Sequence, residues 1–522
     1  MASNFVQGAY GREFGRALLR FHFDIRGPSV GFSLMPTAAP AGVRPPNGWD
    51  GSEIRALSEP QAAGRAWRTS PAILVRGPIH RAFARAPSLG ADLLTVRRRA
   101  VKVEASVLEG IVTRRLEQLD SLRGLAAVSV VIWHWIYLSL PSSAPGMESG
   151  VLRSVFLQHD VSVLATLGGL RLLTMSPLRI LFAGREAVIL FFVLSGFVLS
   201  LPLWEERRFQ YTPFLIKRFF RIYVPYLGAL LLAVAGNLFL SAGGLPDMNE
   251  WFNASWKTPV RLADVLEHAT LIGVFNDNQF NPAFWSLIHE MRISIVYPFV
   301  VLGLRRWPRA LWLLPVPLMA LGCALHTQYP WGRLCESIEV LGFFMAGTAL
   351  ARYQDRIAAL YRGWGSSRKA LAFAAFAGLY TYGWSWVFPA WALHLSTKYQ
   401  DLLVCLGATG ILGLALASTS LYGILMNPAA RYLGRISYSL YLTHATVLLG
   451  LTYLFRGTPG FFWIYAALAL VVASMFWKWV EDPVTQAGRR LAWREQRERV
   501  QVENLWRRLG VLRPPRDPAC DP

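Results

Sequence analysis

The chain has 522 residues, of which 53% are hydrophobic and 16% are charged, and its net charge is +21. Soluble domains contain about 25% charged residues, so this composition argues against a soluble protein and favours a membrane protein. A large positive charge is also typical of nucleic-acid-binding proteins, but the sequence has neither a basic face interleaved with aromatic residues nor the cysteine and histidine spacing of a zinc finger. No nucleic-acid partner is therefore predicted. The four cysteines show no paired spacing, so neither a disulfide framework nor a metal site is expected.

Residues 1–112 are rich in arginine, interrupted by proline and glycine, and without a sustained period of 3.6 or 2. This pattern predicts a disordered extension, and a start codon assigned too far upstream is a second explanation. Charged residues interrupt the first thirty positions, so a signal peptide is not expected. Residues 113–485 are predicted to form a membrane domain, and residues 486–522 a basic cytoplasmic tail.

The membrane domain contains a series of apolar segments of about 20 residues, the length that crosses ~30 Å of hydrocarbon as a helix. They predict an all-α integral membrane protein, a bundle of about ten transmembrane helices with the lipid bilayer as its partner. The predicted spans are residues 122–140, 186–204, 222–242, 285–304, 308–325, 334–351, 369–388, 401–420, 437–455 and 460–480.

Loops rich in lysine and arginine stay in the cytoplasm, and the cations of this chain alternate from loop to loop. The long loop at 243–284 has only Lys257 and Arg261 as lysine or arginine residues. The segments that follow the even-numbered spans are basic. Both termini are therefore predicted to be cytoplasmic. The basic segments contain Arg207, Arg208, Lys217, Arg218, Arg221, Arg305, Arg306, Arg309, Arg352, Arg356, Arg362, Arg368, Lys369, Arg431 and Arg435.

Two polar residues of the first predicted span lie on one helical face. Arg123 and His134 are eleven residues apart, a rotation of about 1100°, which is about 20° beyond three full turns. The two side chains are then about 16 Å apart along the helix axis, with His134 near the middle of the membrane. An ionisable group at that depth indicates a functional site. A helix-packing role for His134 and an interfacial anchoring role for Arg123 remain open.

The stretch from Leu119 to His134 resembles the first helix of the acyltransferase 3 family, membrane acyltransferases that include O-antigen and Nod-factor O-acetylases. Five further blocks resemble motifs of the same family, in the same order. They are Phe191 to Phe197, Lys217 to Pro225, Trp285-Ser286-Leu287 with Glu290, Ser437 to His444, and Glu481-Asp482-Pro483. The third of these departs from the family pattern, because His289, Met291 and Arg292 surround the matched glutamate.

This resemblance implies transfer of an acyl group, acetyl in the simplest case, from acyl-coenzyme A to a hydroxyl of a carbohydrate or lipid-linked glycan. It also implies location in the inner membrane of a bacterium. His134 is expected to act as general base, and Arg123 to orient the thioester or stabilise negative charge. Asp120 is expected to hold the guanidinium of Arg123. A plain salt bridge between these two residues is the alternative.

Three further residues receive expected roles from the same resemblance. Arg218 and Arg221 are expected to bind coenzyme A phosphates at the cytoplasmic face, with positive-inside topology as the alternative. Glu290, near the outer side, is expected to orient His134 or bind sugar hydroxyls, unless it is only the ion-pair partner of Arg292. His289 is interpreted as interfacial, with a catalytic role as the alternative, and His444 is interpreted as structural.

Two other classes of function are compatible with a helical membrane protein. A transporter or flippase for a lipid-linked sugar or small anion is the main alternative, but such folds usually contain duplicated halves, and no internal repeat is evident here. A membrane scaffold does not explain why Arg123 and His134 share a face.

Overall fold

The computed structural model describes residues 117–138, 177–205, 209–246, 248–273, 276, 278–328, 332–381, 397–455 and 461–508. Regular structure within these ranges is helical throughout, without a strand. The predicted extension at 1–112 lies outside the described residues, as does the end of the predicted tail.

The helices are numbered in chain order, and a short 3-10 turn at Pro177–Leu181 lies between α1 and α2. Two of the long helices contain a π-helical turn: Phe219–Tyr223 in α3 and Trp477–Glu481 in α14. The helices are α1 Glu117–Leu138, α2 Gly184–Glu205, α3 Tyr211–Leu240, α4 Glu250–Asn253, α5 Leu262–Ala269, α6 Trp285–Leu304, α7 Ala310–Leu313, α8 Pro315–Gln328, α9 Gly332–Arg362, α10 Ser366–Tyr380, α11 Thr397–Ala417, α12 Thr419–Leu425, α13 Pro428–Leu454, and α14, which runs from Phe462–Phe476 through its π turn into Asp482–Arg508.

Seven helices in the described part of the chain are long and apolar enough to cross a membrane. This identifies a multi-pass helical membrane protein. The seven spans are Glu117–Leu138, Gly184–Trp204, Tyr211–Leu240, Trp285–Leu304, Leu334–Arg362, Gln400–Ala417 and Phe462–Arg499.

Three of the ten predicted spans have no counterpart among these seven. The segment predicted at 308–325 is divided between α7 and α8, and its apolar helix is shorter than the others. The segment predicted at 369–388 is helical to Tyr380, and residues 382–396 lie outside the described ranges. The segment at 437–455 lies in α13, which is long enough to cross but carries buried polar residues: Ser437, Ser439, Thr443, His444 and Thr446.

The predicted start of the third span was wrong. The span was expected from residue 222, with Lys217, Arg218 and Arg221 in the preceding loop, whereas α3 begins at Tyr211 and contains all three. The physical reason is that carboxylates of other helices compensate the charges of Arg218 and Arg221, so both residues can lie within a helix of the bundle.

Small residues set the distance between helices at two crossings. Gly196 of α2 contacts the backbone of Phe344 in α9, and Gly347 of α9 contacts the backbone of Val193. Gly124 of α1 faces Gly434 of α13 in the same way. Because glycine has no side chain, it lets two helix backbones approach closely, and this is a common way to pack helices in a membrane.

A methyl group at the α2–α9 crossing is expected to destabilise the bundle. In Gly196→Ala, the new Cβ would overlap the carbonyl oxygen of Phe344, which is backbone and cannot rotate away. Overpacking of this kind costs about 1–3 kcal/mol. Thermal unfolding in detergent measures it.

Gly303→Ala is the matched control, because Gly303 is also helical but has nothing within 4 Å of an added Cβ. Alanine there should be neutral or stabilising by up to about 1 kcal/mol, from helix propensity alone. Equal unfolding temperatures for the two variants would show that the close contact is not what limits stability.

Candidate active site

The close approach of α1 and α13 brings two histidines together in the interior of the bundle. The helices run in the same direction, since Gly124 faces Gly434 and, ten residues further along each helix, His134 faces His444. Nδ1 of His134 lies 3.0 Å from Nε2 of His444, and the ring centroids are 5.0 Å apart. His444 is fully buried. We call these two residues the histidine pair.

Backbone carbonyls contact Nδ1 of both histidines, and in His134 this is the same atom that faces His444. Nδ1 of His134 lies 3.1 Å from the carbonyl oxygen of Val130. Nδ1 of His444 lies 3.0 Å from the carbonyl oxygen of Leu440 and 2.9 Å from that of Tyr441. Both rings are therefore held in defined orientations by their own helices.

The loop between α3 and α6 covers one face of His134. Trp251, in the short helix α4, stacks on the His134 ring at 5.3 Å between centroids, and Tyr137 packs edge-on against the same indole. Asn249 caps α4 and donates a 2.9 Å hydrogen bond to the carbonyl oxygen of Tyr137, which ties this loop to the end of α1. His134 is thus half-buried beneath an aromatic cover.

Three arginines, Arg123, Arg218 and Arg221, form a second polar group, which we call the arginine cluster. Arg123 pairs with Asp120 at 2.8 Å, as their spacing in the helix predicts. Its charge also interacts with those of Arg218, Arg221 and Glu290. The side chain of Asp120 is 54% exposed and that of Arg123 is 22% exposed, so this is the most exposed of the three ion pairs of the arginine cluster.

Arg218 is held by residues of α6. It forms a 2.8 Å ion pair with Glu290 and donates hydrogen bonds to the hydroxyl of Ser294. The hydroxyl of Ser195 donates a further hydrogen bond to Glu290, at 3.2 Å. Three helices, α2, α3 and α6, therefore meet at the Arg218–Glu290 pair.

Arg221 joins the π turns of α3 and α14. It pairs at 2.5 Å with Glu481, whose other carboxylate oxygen accepts hydrogen bonds from the backbone N–H and hydroxyl of Ser439 in α13. The Arg221 guanidinium also lies over the ring of Tyr438, 5.3 Å from its centroid, and the Tyr438 hydroxyl donates to the carbonyl of Ile222. Short π-helical turns are frequent at functional sites, and here two of them converge on one buried carboxylate.

The structure brings the predicted site residues together in two places. Asp120, Arg123, Arg218, Arg221 and Glu290 lie in or beside the arginine cluster, whereas His134 lies about 16 Å further along α1. Arg123 and His134 thus belong to the same helix but to different polar groups.

The predictions for the surroundings of Glu290 need correction. Its ion-pair partner is Arg218, and Arg292 instead contacts the hydroxyl of Ser337 and the backbone oxygens of Ile272 and Gly273. Glu290 makes its contacts with Arg218 and Ser195, not with His134. The expectation that Arg218 and Glu290 lie at opposite faces of the membrane was also wrong, since they touch.

Sequence reasoning did not identify His444 and Glu481 as site residues. Both belong to sequence blocks that resemble family motifs, and that was the available signal. His444 was interpreted as structural, because it was expected to face the interior of its span; the residue it contacts, His134, is 310 residues away in the sequence. Glu481 was noted only as part of a closing motif, and its partner is 260 residues away.

Within the described ranges, no group of three histidine, cysteine, aspartate or glutamate residues is placed to hold a metal ion. Cys323, Cys335 and Cys405 are free thiols.

The structure is a bundle of apolar helices that encloses two polar groups, the histidine pair and the charge-compensated arginine cluster. The chain belongs to the acyltransferase 3 family, described as an acyltransferase domain, which it matches over residues 116–480. The match covers every residue of both polar groups and ends one residue before Glu481, the partner of Arg221. No match was found among curated proteins or among solved structures.

Proposed function

We propose that this protein transfers an acyl group, acetyl in the simplest case, from acyl-coenzyme A to a hydroxyl of a carbohydrate or lipid-linked glycan. The observation that carries the proposal is the histidine pair, which equips the interior of an acyltransferase domain with an oriented imidazole. General bases act on a hydroxyl from within hydrogen-bond distance, and histidine is the side chain most often used.

The reaction needs one proton acceptor that later acts as a donor. Nε2 of His134 takes the proton of the acceptor hydroxyl as its oxygen attacks the thioester carbonyl. The tetrahedral intermediate then breaks its carbon–sulfur bond, and His134 returns the proton to the leaving thiolate. The products are an ester and coenzyme A with a free thiol, so atoms and charge balance.

The arginine cluster is proposed to bind the donor. Arg123 has the most exposed carboxylate partner, and Arg221 uses one of its five N–H donors on Glu481 and is 35% exposed. Both therefore retain donors for phosphate or for the developing oxyanion. Arg218 is 13% exposed and is engaged by Glu290 and Ser294, which favours a positioning role over phosphate contact.

The proposed topology has ten spans, with both termini in the cytoplasm, in the inner membrane of a bacterium. Two helix pairs support the alternation. α1 and α13, the first and ninth proposed spans, run in the same direction. α3 and α6, the third and fourth, run in opposite directions, because Tyr211 contacts Ile295 and Arg218 contacts Glu290.

An assay of bond formation separates acyl transfer from transport. Purified protein in liposomes is supplied with acyl-coenzyme A labelled in its acyl group and with surface polysaccharide extracted from a strain that lacks the gene. We expect alkali-labile label on the glycan and one free thiol released for each ester formed. A flippase would move glycan across the bilayer without transferring label, and that result would overturn the proposal.

A further inference from the structure

We infer that His444 is a positioning residue, which holds the ring of His134 in the tautomer whose Nε2 is unprotonated and able to accept a proton. The inference rests on the proposed role of His134 as general base. It assigns a function to a buried histidine of α13 that belongs to a different span and lies 310 residues away in the sequence.

The tautomer of His444 follows from its two carbonyl contacts. Its Nδ1 lies 3.0 and 2.9 Å from the oxygens of Leu440 and Tyr441. Both oxygens are acceptors only, so these contacts are hydrogen bonds only if Nδ1 carries the proton. In a neutral imidazole the other nitrogen is then an acceptor. Nε2 of His444 therefore presents a lone pair to His134.

The tautomer of His134 follows in turn. Its Nδ1 lies 3.0 Å from that lone pair and 3.1 Å from the carbonyl oxygen of Val130, so it faces two acceptors and must be the donor. In the opposite pair of tautomers, both Nδ1 atoms would be unprotonated and Nε2 of His444 would donate to His134. A nitrogen lone pair would then face a carbonyl oxygen at all three carbonyl contacts, and unmade hydrogen bonds are costly in a protein interior. Neutral His134 therefore has its free lone pair on Nε2.

This arrangement matches what a general base requires from a partner residue. Such a partner fixes the tautomer, fixes the ring plane and accepts a stronger hydrogen bond when the base becomes an imidazolium. Catalytic histidines often use a carboxylate for this purpose. Among the described residues, no carboxylate lies within ion-pair distance of either ring. Nε2 of His444, a neutral acceptor, contacts Nδ1 of His134 where a carboxylate would otherwise do so.

The test compares three replacements of His444. In His444→Leu the acceptor is lost and a buried side chain of similar size is kept. In His444→Gln the amide oxygen reaches the position of Nε2, because it is the same number of bonds from Cα. In His444→Asn it reaches only the position of Nδ1. We expect kcat to fall about 10–100-fold in the leucine and asparagine variants, with substantial recovery in the glutamine variant.

The Michaelis constant for acyl-coenzyme A should stay unchanged in all three variants, because the side chain of His444 contacts His134, Leu440 and Tyr441 and none of the three arginines. Equal activity of the glutamine and asparagine variants, or a change in the Michaelis constant alone, would overturn the inference. Size-exclusion chromatography in detergent confirms that each variant is folded.

A double variant separates failure of this inference from failure of the proposed function. If His444 acts through His134, then His134→Ala with His444→Leu is no slower than His134→Ala alone. A further loss in the double variant assigns His444 an independent role and overturns the inference. Full transfer by His134→Ala overturns the base assignment itself, whatever the result at His444.

Discussion

Replacement of His134 by alanine is expected to lower kcat for acyl transfer by about 10²–10⁴-fold, the usual contribution of a positioned general base. Binding of acyl-coenzyme A should persist, because the arginine cluster lies about 16 Å away along α1. Single-turnover transfer of labelled acyl groups, together with equilibrium binding of the donor, separates the two effects. The expected result is a protein that binds its donor and fails to pass the acyl group on.

Two controls make the His134 result specific. His326→Ala removes another histidine, which is partly exposed and lies 3.6 Å from Glu336, and it should leave kcat within about twofold of native. Free imidazole added to His134→Ala should restore part of the transfer, because the deleted ring leaves space beside Trp251 and His444. Native rates without imidazole would exclude His134 as the base.

Replacement of Glu481 by alanine is expected to destabilise the protein by about 3 kcal/mol. Glu481 is 1% exposed, and its loss would leave Arg221 and two hydrogen-bond donors of Ser439 without their acceptor. The lower end of the range for buried ion pairs applies, since the side chain of Arg221 is 35% exposed and can recruit water. Reversible unfolding in mixed micelles gives the free-energy difference.

An exposed ion pair of the same helix is the matched control. Arg499 and Glu495 of α14 pair at 2.7 Å with side chains 53% and 30% exposed, so Glu495→Ala should cost less than about 0.5 kcal/mol. Combining Arg221→Ala with Glu481→Ala should cost less than the sum of the two single changes, because no unpaired charge remains. Additive losses would show that the two residues do not stabilise each other.

Sequence pattern located the apolar spans well where composition changes sharply at their ends. The predicted span at 285–304 coincides with α6, and that at 186–204 begins two residues after the start of α2. Hydropathy found α3 and α13 but placed their starts too late, at residues 222 and 437, whereas the helices begin at Tyr211 and Pro428. α13 carries buried hydroxyls and His444, and α3 carries Arg218 and Arg221, so the apolar signal of each is interrupted although the helix is not.

The candidate site was only partly predictable for a related reason. Helical periodicity finds neighbours within one helix, and it correctly placed Asp120 beside Arg123. Contacts between helices depend on how the helices pack, and this packing cannot be read from a single sequence. The partners of Arg218, Arg221 and His134 lie 72, 260 and 310 residues away.

The parallel contact between α1 and α13 has a consequence for biosynthesis. Ribosomes add about 5–20 residues per second, so the 310 residues that separate His134 from His444 take about 15–60 s to synthesise. During that interval α1 has already left the ribosome and has no α13 against which to place Gly124. The contact between His134 and His444, and the glycine crossing beneath it, therefore form only after one of the last helices of the chain has been made.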